Sequence, residues 1–245
     1  MKLKELLKNL GPKRAAKHVT AIIVAAGSGS RMESSVTKQM MEINGIPVVA
    51  RSIAAFEKCP SIKDIIIVAR ADEKNIYRNF IQKYSFTKIR RIVTGADTRQ
   101  GSVLNGFKVI DNKCDFVAIH DGARCLITPE EIERVLYEAR RCDAASAACL
   151  AKDTVKIADT KGYVVSTPDR SKVWYAQTPQ IFRSDLYRAA AFWALKKGFE
   201  ATDDNSLVEF LGARVKLVDC GYRNIKITTP EDIHIAQILL KETQK

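Results

Sequence analysis

Several things are scarce in this 245-residue chain. Aromatic residues make up 7% of it, histidines number three, and 28 Asp and Glu face 40 Lys and Arg. No apolar run approaches the roughly 20 residues that a membrane helix needs, which speaks against a membrane protein. The basic N-terminus, MKLKELLKNLGPKR, has its apolar residues interrupted by charges and does not read as a secretory signal. Six cysteines, at 59, 114, 125, 142, 149 and 220, form no CxxC pair and no Cys/His cluster with zinc spacing. They read as reduced thiols of a cytoplasmic protein. His18, His120 and His234 are scattered, which argues against a histidine metal centre, and no Ser-His-Asp set is recognisable. The net charge of +12 by itself suits nucleic acid, anionic lipid or a small polyanionic substrate. The lack of aromatics interleaved with the cations argues against a basic nucleic-acid-binding module.

What is present is a large apolar fraction, 46% hydrophobic, enough for a sizeable core. Residues 1–18 form a basic extension with six cations against Glu5, in which Leu3, Leu6, Leu7 and Leu10 mark one stripe of a short helix. From Thr20 the pattern changes to short runs that are apolar throughout: Ala21–Ala26, Ile65–Ala69, Ile89–Val93, Phe116–Ile119, Ala144–Leu150 and Val215–Val218. Such runs predict strands buried on both faces of a parallel sheet. Helical signals lie between them. Pro47 opens 48–58, Thr128-Pro129-Glu130-Glu131 is a capping box with Pro at the first helical position, and Thr229-Pro230-Glu231-Asp232 repeats that start. Strands alternating with helices give an α/β layered fold. Residues 151–182 break the rhythm, with short strands expected at Thr154–Ile157 and Tyr163–Ser166 about a turn at Lys161-Gly162. We therefore expect one domain, 19–245, with a β-arm at about 151–182; a small arm with an exposed edge often pairs with a second subunit.

The first strand runs into Ala25-Ala26-Gly27-Ser28-Gly29-Ser30-Arg31-Met32. Glycines directly after a strand let backbone N–H groups approach phosphate oxygens. No Gly-Lys-Ser/Thr follows, so this is not a Walker motif, and Met32 stands where the dinucleotide fingerprint needs its third glycine. Arg31 and Lys38 follow closely, and two cations beside such a loop can neutralise a triphosphate and a phosphoryl-transfer transition state. A tight turn and a solvated lysine remain the simpler readings of the same residues.

With Lys38-Gln39 included, this pattern resembles the nucleotidyltransferases that activate sugar and polyol phosphates. More narrowly, it is similar to the 2-C-methyl-D-erythritol 4-phosphate cytidylyltransferase family of the non-mevalonate isoprenoid pathway. The likeness runs from about Thr20 to Glu242 through motifs that match in order. It implies a Rossmann-like, mostly parallel sheet of the nucleotide-diphospho-sugar transferase type, and a homodimer through the β-arm. It implies CTP as co-substrate and Mg²⁺, or another divalent cation, as the metal. By the resemblance, Ala25, Ala26, Gly27, Ser28, Gly29, Arg31 and Lys38 embrace the triphosphate, with Arg31 and Lys38 stabilising the transition state. Gly95-Ala96-Asp97-Thr98-Arg99-Gln100-Gly101-Ser102 reads the cytosine, which makes Gly95, Asp97, Arg99 and Ser102 nucleotide residues. In His120-Asp121-Gly122-Ala123-Arg124, Asp121 takes the metal and ribose roles, while Gly122 and Arg124 approach the substrates. A carboxylate at the end of a central strand is also well placed for Mg²⁺ on physical grounds. Thr154 and Arg170, on the arm, are implied to reach the polyol phosphate in the neighbouring subunit. Thr202, in Thr202-Asp203-Asp204-Asn205-Ser206, and Lys226 are implied in the substrate site, with Arg170 and Lys226 catalytic.

The implied reaction is transfer of CMP from CTP to methylerythritol phosphate with loss of pyrophosphate. Ribitol 5-phosphate cytidylyltransferase, or another sugar-phosphate nucleotidyltransferase, is the alternative. Two departures from the family pattern stand out: Val24 in place of Pro, and Gly122-Ala123-Arg124-Cys125 in place of Ala-Ala-Arg-Pro. We expect Gly122 to loosen backbone next to substrate and Cys125 to remove a rigid proline.

Overall fold

The computed structural model describes residues 18–27 and 37–242. The basic extension 1–17, the loop residues 28–36 with Ser28, Gly29 and Arg31 among them, and the last three residues lie outside the described residues. Along the chain come β1 (Val19–Val24), the small hairpin β2 (Glu42–Ile43) and β3 (Ile46–Pro47), α1 (Val48–Lys58), β4 (Ile62–Ala69), α2 (Lys74–Lys83), β5 (Ile89–Thr94), α3 (Arg99–Phe107) and β6 (Phe116–Asp121). Then follow α4 (Pro129–Cys142), β7 (Ala144–Leu150), β8 (Ile157–Ala158), β9 (Val164–Ser166), β10 (Trp174–Arg183), α5 (Ser184–Lys197), α6 (Asp204–Phe210), β11 (Lys216–Asp219) and α7 (Pro230–Glu242).

Seven strands make one sheet in the order β11-β7-β10-β6-β1-β4-β5, and only β10 runs against the others. The uninterrupted apolar runs are explained by burial on both sides. Ile23, Ile65 and Ile67 pack with Ile53 and Phe56 of α1 and Val135 and Leu136 of α4. Ile22, Ile66 and Val68, on the opposite face, pack with Val103 and Phe107 of α3 and Leu186 and Tyr187 of α5. The capping box holds as expected. The Glu131 N–H donates to Thr128 Oγ1 at 3.2 Å, and the Thr128 N–H donates to Glu131 Oε2 at 3.0 Å. Among the described residues no helix is long and apolar enough to cross a membrane.

The arm is shorter than the sequence pattern suggests. The free hairpin holds only β8 and β9, so Thr154 precedes its first strand. Residues 174–183 instead form β10, at ten residues the longest strand of the sheet and one of its central members. Pro179 and the polar Gln177, Thr178 and Gln180 hide it from any hydrophobic pattern. β10 accommodates them by pairing with β7 at 174–176 and again at 180–182, with the register shifting between. All three polar residues are buried and hydrogen-bonded.

The topology fixes where a ligand can sit. Val24 of β1 is level with Val68 of β4 on one side and with Asp121 of β6 on the other, while Ala69 is level with Thr94 of β5. The carboxyl ends of four parallel strands therefore form one edge. After β1 the chain builds β4 and β5 to one side and then crosses back to place β6 on the other. The crevice at such a reversal is where open α/β sheets bind ligands.

Candidate active site at the carboxyl edge of the sheet

A cavity of about 380 Å³ lies at this edge, lined by the ends of β1 and β6, the loop before α3, Lys38 and Gln39, and Lys226. Asp121 is its electrostatic centre. Lys226 Nζ lies 2.8 Å from Asp121 Oδ2, Arg99 Nε 3.2 Å from Oδ1, and Arg124 Nε 3.9 Å from Oδ2. Burial alone would raise the carboxyl pKa, but Arg99 and Lys226 outweigh it and hold Asp121 well below the usual carboxylate range, so it is ionised at any physiological pH.

The backbone of this strand end is fixed by a hydrogen-bond chain. The Asp121 N–H donates to Thr178 Oγ1 at 3.0 Å, and His120 Nδ1 lies 3.0 Å from the same hydroxyl. His120 Nε2 lies 3.1 Å from the Arg124 carbonyl, which can only accept, so Nε2 carries the proton and Nδ1 accepts from Thr178. Burial pushes the His120 pKa down to about 4, so the ring is a neutral strut.

The loop before α3 is also tied. The Ala96 N–H donates to Ser102 Oγ at 2.9 Å, the Ser102 hydroxyl lies 3.2 Å from the Ala96 carbonyl, and Thr98 caps the helix by accepting from the Gly101 N–H at 3.0 Å. A Cβ on Gly95 would come within 2.3 Å of Ala26 Cβ, so this loop and the end of β1 touch because Gly95 has no side chain. Gln39, also in the lining, is buried and donates from Nε2 to the Gly27 carbonyl at 3.3 Å, while its Oε1 has no partner among the described residues.

The arrangement suits an anionic, phosphate-bearing ligand. Lys38, Arg99 and Lys226 line the cavity with Asp97 and Asp121, and Ala26 and Gly27, where the glycine-rich segment begins, line it too. Two comparisons decide the family. The family model for 2-C-methyl-D-erythritol 4-phosphate cytidylyltransferase matches residues 19–242. The enzyme of that name from Caldanaerobacter subterraneus subsp. tengcongensis is 44% identical over 92% of this chain and 100% of its own length. The chain belongs to this cytidylyltransferase family. Its namesake from Desulforamulus reducens is 45% identical over 91% of this chain and 96% of its own. Among solved structures, the 4-diphosphocytidyl-2C-methyl-D-erythritol synthase from Anaerococcus prevotii is similar with a TM-score of 0.83 and 37% identity, covering 92% of this chain and 97% of that one. The 2-C-methyl-D-erythritol 4-phosphate cytidylyltransferase from Thermus thermophilus gives a TM-score of 0.75 at 27% identity, covering 91% of this chain and 99% of that one.

Against the residues that the family likeness singles out, the structure draws a sharp division. It gathers Ala26, Gly27, Lys38, Asp97, Arg99, Ser102, Asp121 and Lys226 around one cavity. Ala25 and Gly95 stand behind that lining, Ala25 bonded through its N–H to the Val68 carbonyl. Arg124 does not line the cavity: its guanidinium donates to the carbonyls of Asn224, at 2.7 Å, and Ala176, at 3.4 Å, and so ties the end of β6 to β10 and to the segment carrying Lys226. Thr202 is exposed, just before α6, and does not line the cavity. Thr154 and Arg170 are exposed on the arm, also away from the cavity, with Arg170 Nη1 bonded to the Lys152 carbonyl at 2.8 Å.

One expectation needs correcting. Gly122 does not loosen its backbone: its N–H donates to the Val24 carbonyl at 2.8 Å and its carbonyl accepts from Ser52 Oγ at 2.9 Å. A Cβ there would press on Val49 Cγ2 at 3.1 Å. Cys125 packs in a small apolar cluster with Ile43, Val48 and Ile227. The sequence pattern alone did not single out Gln39, Thr178 or Asp204. Thr178 and Asp204 act through partners 57 and 105 positions away, so only the fold reveals them.

Proposed function

We propose that the protein transfers CMP from CTP to 2-C-methyl-D-erythritol 4-phosphate, releasing pyrophosphate and forming 4-diphosphocytidyl-2-C-methyl-D-erythritol, a step of isoprenoid precursor synthesis. The carrying observation is the Asp121 cluster, which holds Lys226 and Arg99 in the same cavity as Lys38 and the start of the glycine-rich segment. A phosphate oxygen of the polyol phosphate attacks the α-phosphorus of CTP, and the bond to the bridging oxygen of the β-phosphate breaks. The attacking oxygen is already anionic, so no general base is needed, and catalysis is positioning plus charge neutralisation. The state of the two titratable groups at the end of β6 accords with this: Asp121 is spent on cations, and His120 is neutral and bonded at both nitrogens. Lys226, fixed by Asp121, orients the attacking phosphate. Lys38, and Arg31 outside the described residues, meet the charge that builds on the triphosphate.

Mg²⁺ fits the donor set. Each oxygen of the Asp121 carboxylate has one cation of the chain at hydrogen-bond distance and keeps a further lone pair for a metal, Asp97 lines the same cavity, and among the described residues no group of three or more His, Cys, Asp or Glu gathers to make a cage. Mg²⁺ takes one or two carboxylates and completes its shell with substrate phosphates and water. Asp121 would hold it, and when bound it would neutralise charge on the triphosphate and the leaving pyrophosphate.

A homodimer completes the site in this reading. Ile157, Val164 and Val165 are 50%, 60% and 68% exposed on a two-stranded hairpin, too small a unit to be stable by itself. Exchange of arms between two copies would cover these side chains and carry Thr154 and Arg170 to the partner's cavity, where a guanidinium can bind the polyol phosphate bidentately. Six unpaired thiols suit a cytoplasmic home.

The test is pyrophosphate release with Mg²⁺ and CTP, with methylerythritol phosphate and ribitol 5-phosphate run side by side. Release with methylerythritol phosphate alone is expected. Release with ribitol phosphate alone would keep the mechanism and overturn the pathway.

A further inference from the structure

Asp204 is a buried carboxylate with no place in the chemistry described so far. Its side chain is 1% exposed and it does not line the cavity. Burying a carboxylate is costly unless its oxygens are bonded, so such a group is retained where its partners matter. Both oxygens are taken: Oδ2 accepts from Arg99 Nη1 at 2.7 Å, and Oδ1 accepts from the Tyr187 hydroxyl at 2.7 Å.

Helix capping does not explain it. The neighbouring Asp203 already caps α6, accepting from the Ser206 N–H at 3.0 Å. The first-turn N–H groups of Asp204 and Asn205 are satisfied by Gln180 Oε1, at 2.9 Å and 3.1 Å. The Asp204 carboxylate is thus free of any duty to its own helix and is spent on Arg99. Gln180 also donates from Nε2 to Asp203 Oδ2 at 2.8 Å, so the start of α6 is bolted to β10.

Arg99 in turn is stretched between two acids, Nε on Asp121 Oδ1 and Nη1 on Asp204 Oδ2, while it lines the nucleotide cavity. Its Nη2 has no protein partner among the described residues. A free arginine side chain samples many rotamers, and that freedom is lost when a ligand fixes it. Holding it at two points before the ligand arrives removes most of that cost from binding.

We propose that Asp204, backed by Tyr187, is a positioning residue that presents the unpartnered edge of Arg99 to the nucleotide. The chain of contacts runs Tyr187, Asp204, Arg99, Asp121, and it crosses from the buried face of α5 through the start of α6 to the cavity wall. A second effect follows from charge. With Asp204 sharing Arg99, Asp121 is not neutralised by Arg99 alone and retains the field that holds Lys226. This inference rests on reading the cavity as a CTP site.

The test uses the full-length protein and measures CTP binding by calorimetry, KM for CTP and for the polyol phosphate, and the melting temperature. Asp204→Asn keeps the shape and an acceptor for Arg99 but loses the charge. Tyr187→Phe removes only the hydroxyl. Asp204→Asn is expected to weaken CTP binding about ten- to a hundredfold, the range of a charge-assisted hydrogen bond, and Tyr187→Phe to shift it the same way by less. KM for CTP should rise far more than KM for the polyol phosphate. In an Arg99→Ala background, Asp204→Asn should cost no further CTP affinity and should raise the melting temperature, because it then removes an unpaired buried charge. Wild-type binding of CTP with equal binding by both single variants would overturn this inference alone. So would an Asp204→Asn loss that persists undiminished without Arg99, which marks a general structural role. A folded wild type that binds no CTP overturns the nucleotide reading, and this inference with it. If Asp204→Asn does not fold, Tyr187→Phe decides.

Discussion

The carboxyl edge of the sheet and the β-arm carry two halves of the proposed site, and they are built by opposite means. At the edge nearly every polar atom is committed within the chain. Asp121 has its N–H on Thr178 and its carboxylate on Lys226 and Arg99, His120 is bonded at both nitrogens, and Arg99 reaches on to Asp204. On the arm, Thr154 and Arg170 lie in the open, β8 and β9 touch nothing but each other as a sheet, and Tyr163 is 72% exposed. Preorganised charge is what stabilises a phosphoryl-transfer transition state, because the dipoles need not reorganise as the reaction proceeds. An arm without its own support can be ordered only by what it docks on. The edge should therefore govern turnover and the nucleotide, and the arm should govern the polyol phosphate and assembly.

The largest expected effect is at the edge. Lys38→Ala and Lys226→Ala should each lower kcat by roughly 100- to 1000-fold, as loss of one charge-stabilising donor does elsewhere. Lys226 Nζ is held 2.8 Å from Asp121, so its removal also leaves Asp121 more dependent on Arg99. Melting temperatures measured alongside should change little, since Lys226 is 39% exposed. Near-normal steady-state turnover by either variant would show that the edge does not do the chemistry.

Next comes the arm. Arg170→Ala should raise KM for the polyol phosphate by about 10- to 100-fold, the worth of one charge-assisted hydrogen bond, and leave KM for CTP alone. Mixing the Lys38→Ala and Arg170→Ala proteins and allowing subunits to exchange should restore part of the lost turnover. In the mixed dimer one cavity has its own Lys38 and receives an intact arm. Failure of mixing to restore activity, with exchange shown by mass, would break the division of labour drawn above.

How much of this could be read in the sequence differs between the same two regions. The strands ending at the cavity were legible because parallel strands covered on both faces are apolar throughout, as in Ile65–Ala69, and because His120-Asp121 directly follows such a run, Phe116–Ile119. The residues that brace the edge were not. The Arg99–Asp204 pair spans 105 positions and the Asp121–Thr178 bond spans 57, distances over which local spacing carries no signal. The sequence pattern places β10 in the arm because Gln177, Thr178, Pro179 and Gln180 obey no period, yet those polar groups are what join the central strand to Asp203, Asn224 and His120. The Gly122 expectation failed for a related reason: backbone freedom depends on the partners of its N–H and carbonyl, which lie on β1 and α1.

A smaller effect, on stability, separates the regions again. Gly95→Ala puts a methyl 2.3 Å from Ala26 Cβ and 2.9 Å from Ser102 Oγ, where strand end and loop are both held by backbone bonds. Overpacking of this kind costs about 1–3 kcal/mol. For a chain of this length each kcal/mol shifts the melting temperature by roughly 2–4 °C, so thermal unfolding should show a drop of several degrees, with weaker CTP binding. An unchanged melting temperature would mean that β1 and the loop before α3 are less firmly seated than the cavity argument requires.

The smallest effect belongs to the arm. Lys156 Nζ donates to Thr167 Oγ1 at 2.9 Å across the hairpin, and the pair is exposed. Lys156→Ala should change stability by less than about 0.5 kcal/mol and leave KM for CTP at its wild-type value, because an exposed pair of this kind exchanges one solvated arrangement for another. The measurement is worth making for the opposite outcome. A loss of several degrees in melting temperature would mean that the hairpin unfolds together with the sheet, so that order in the arm is transmitted to the edge. The two halves of the site would then form one cooperative unit, and Arg170 would be expected to affect the nucleotide as well as the polyol phosphate.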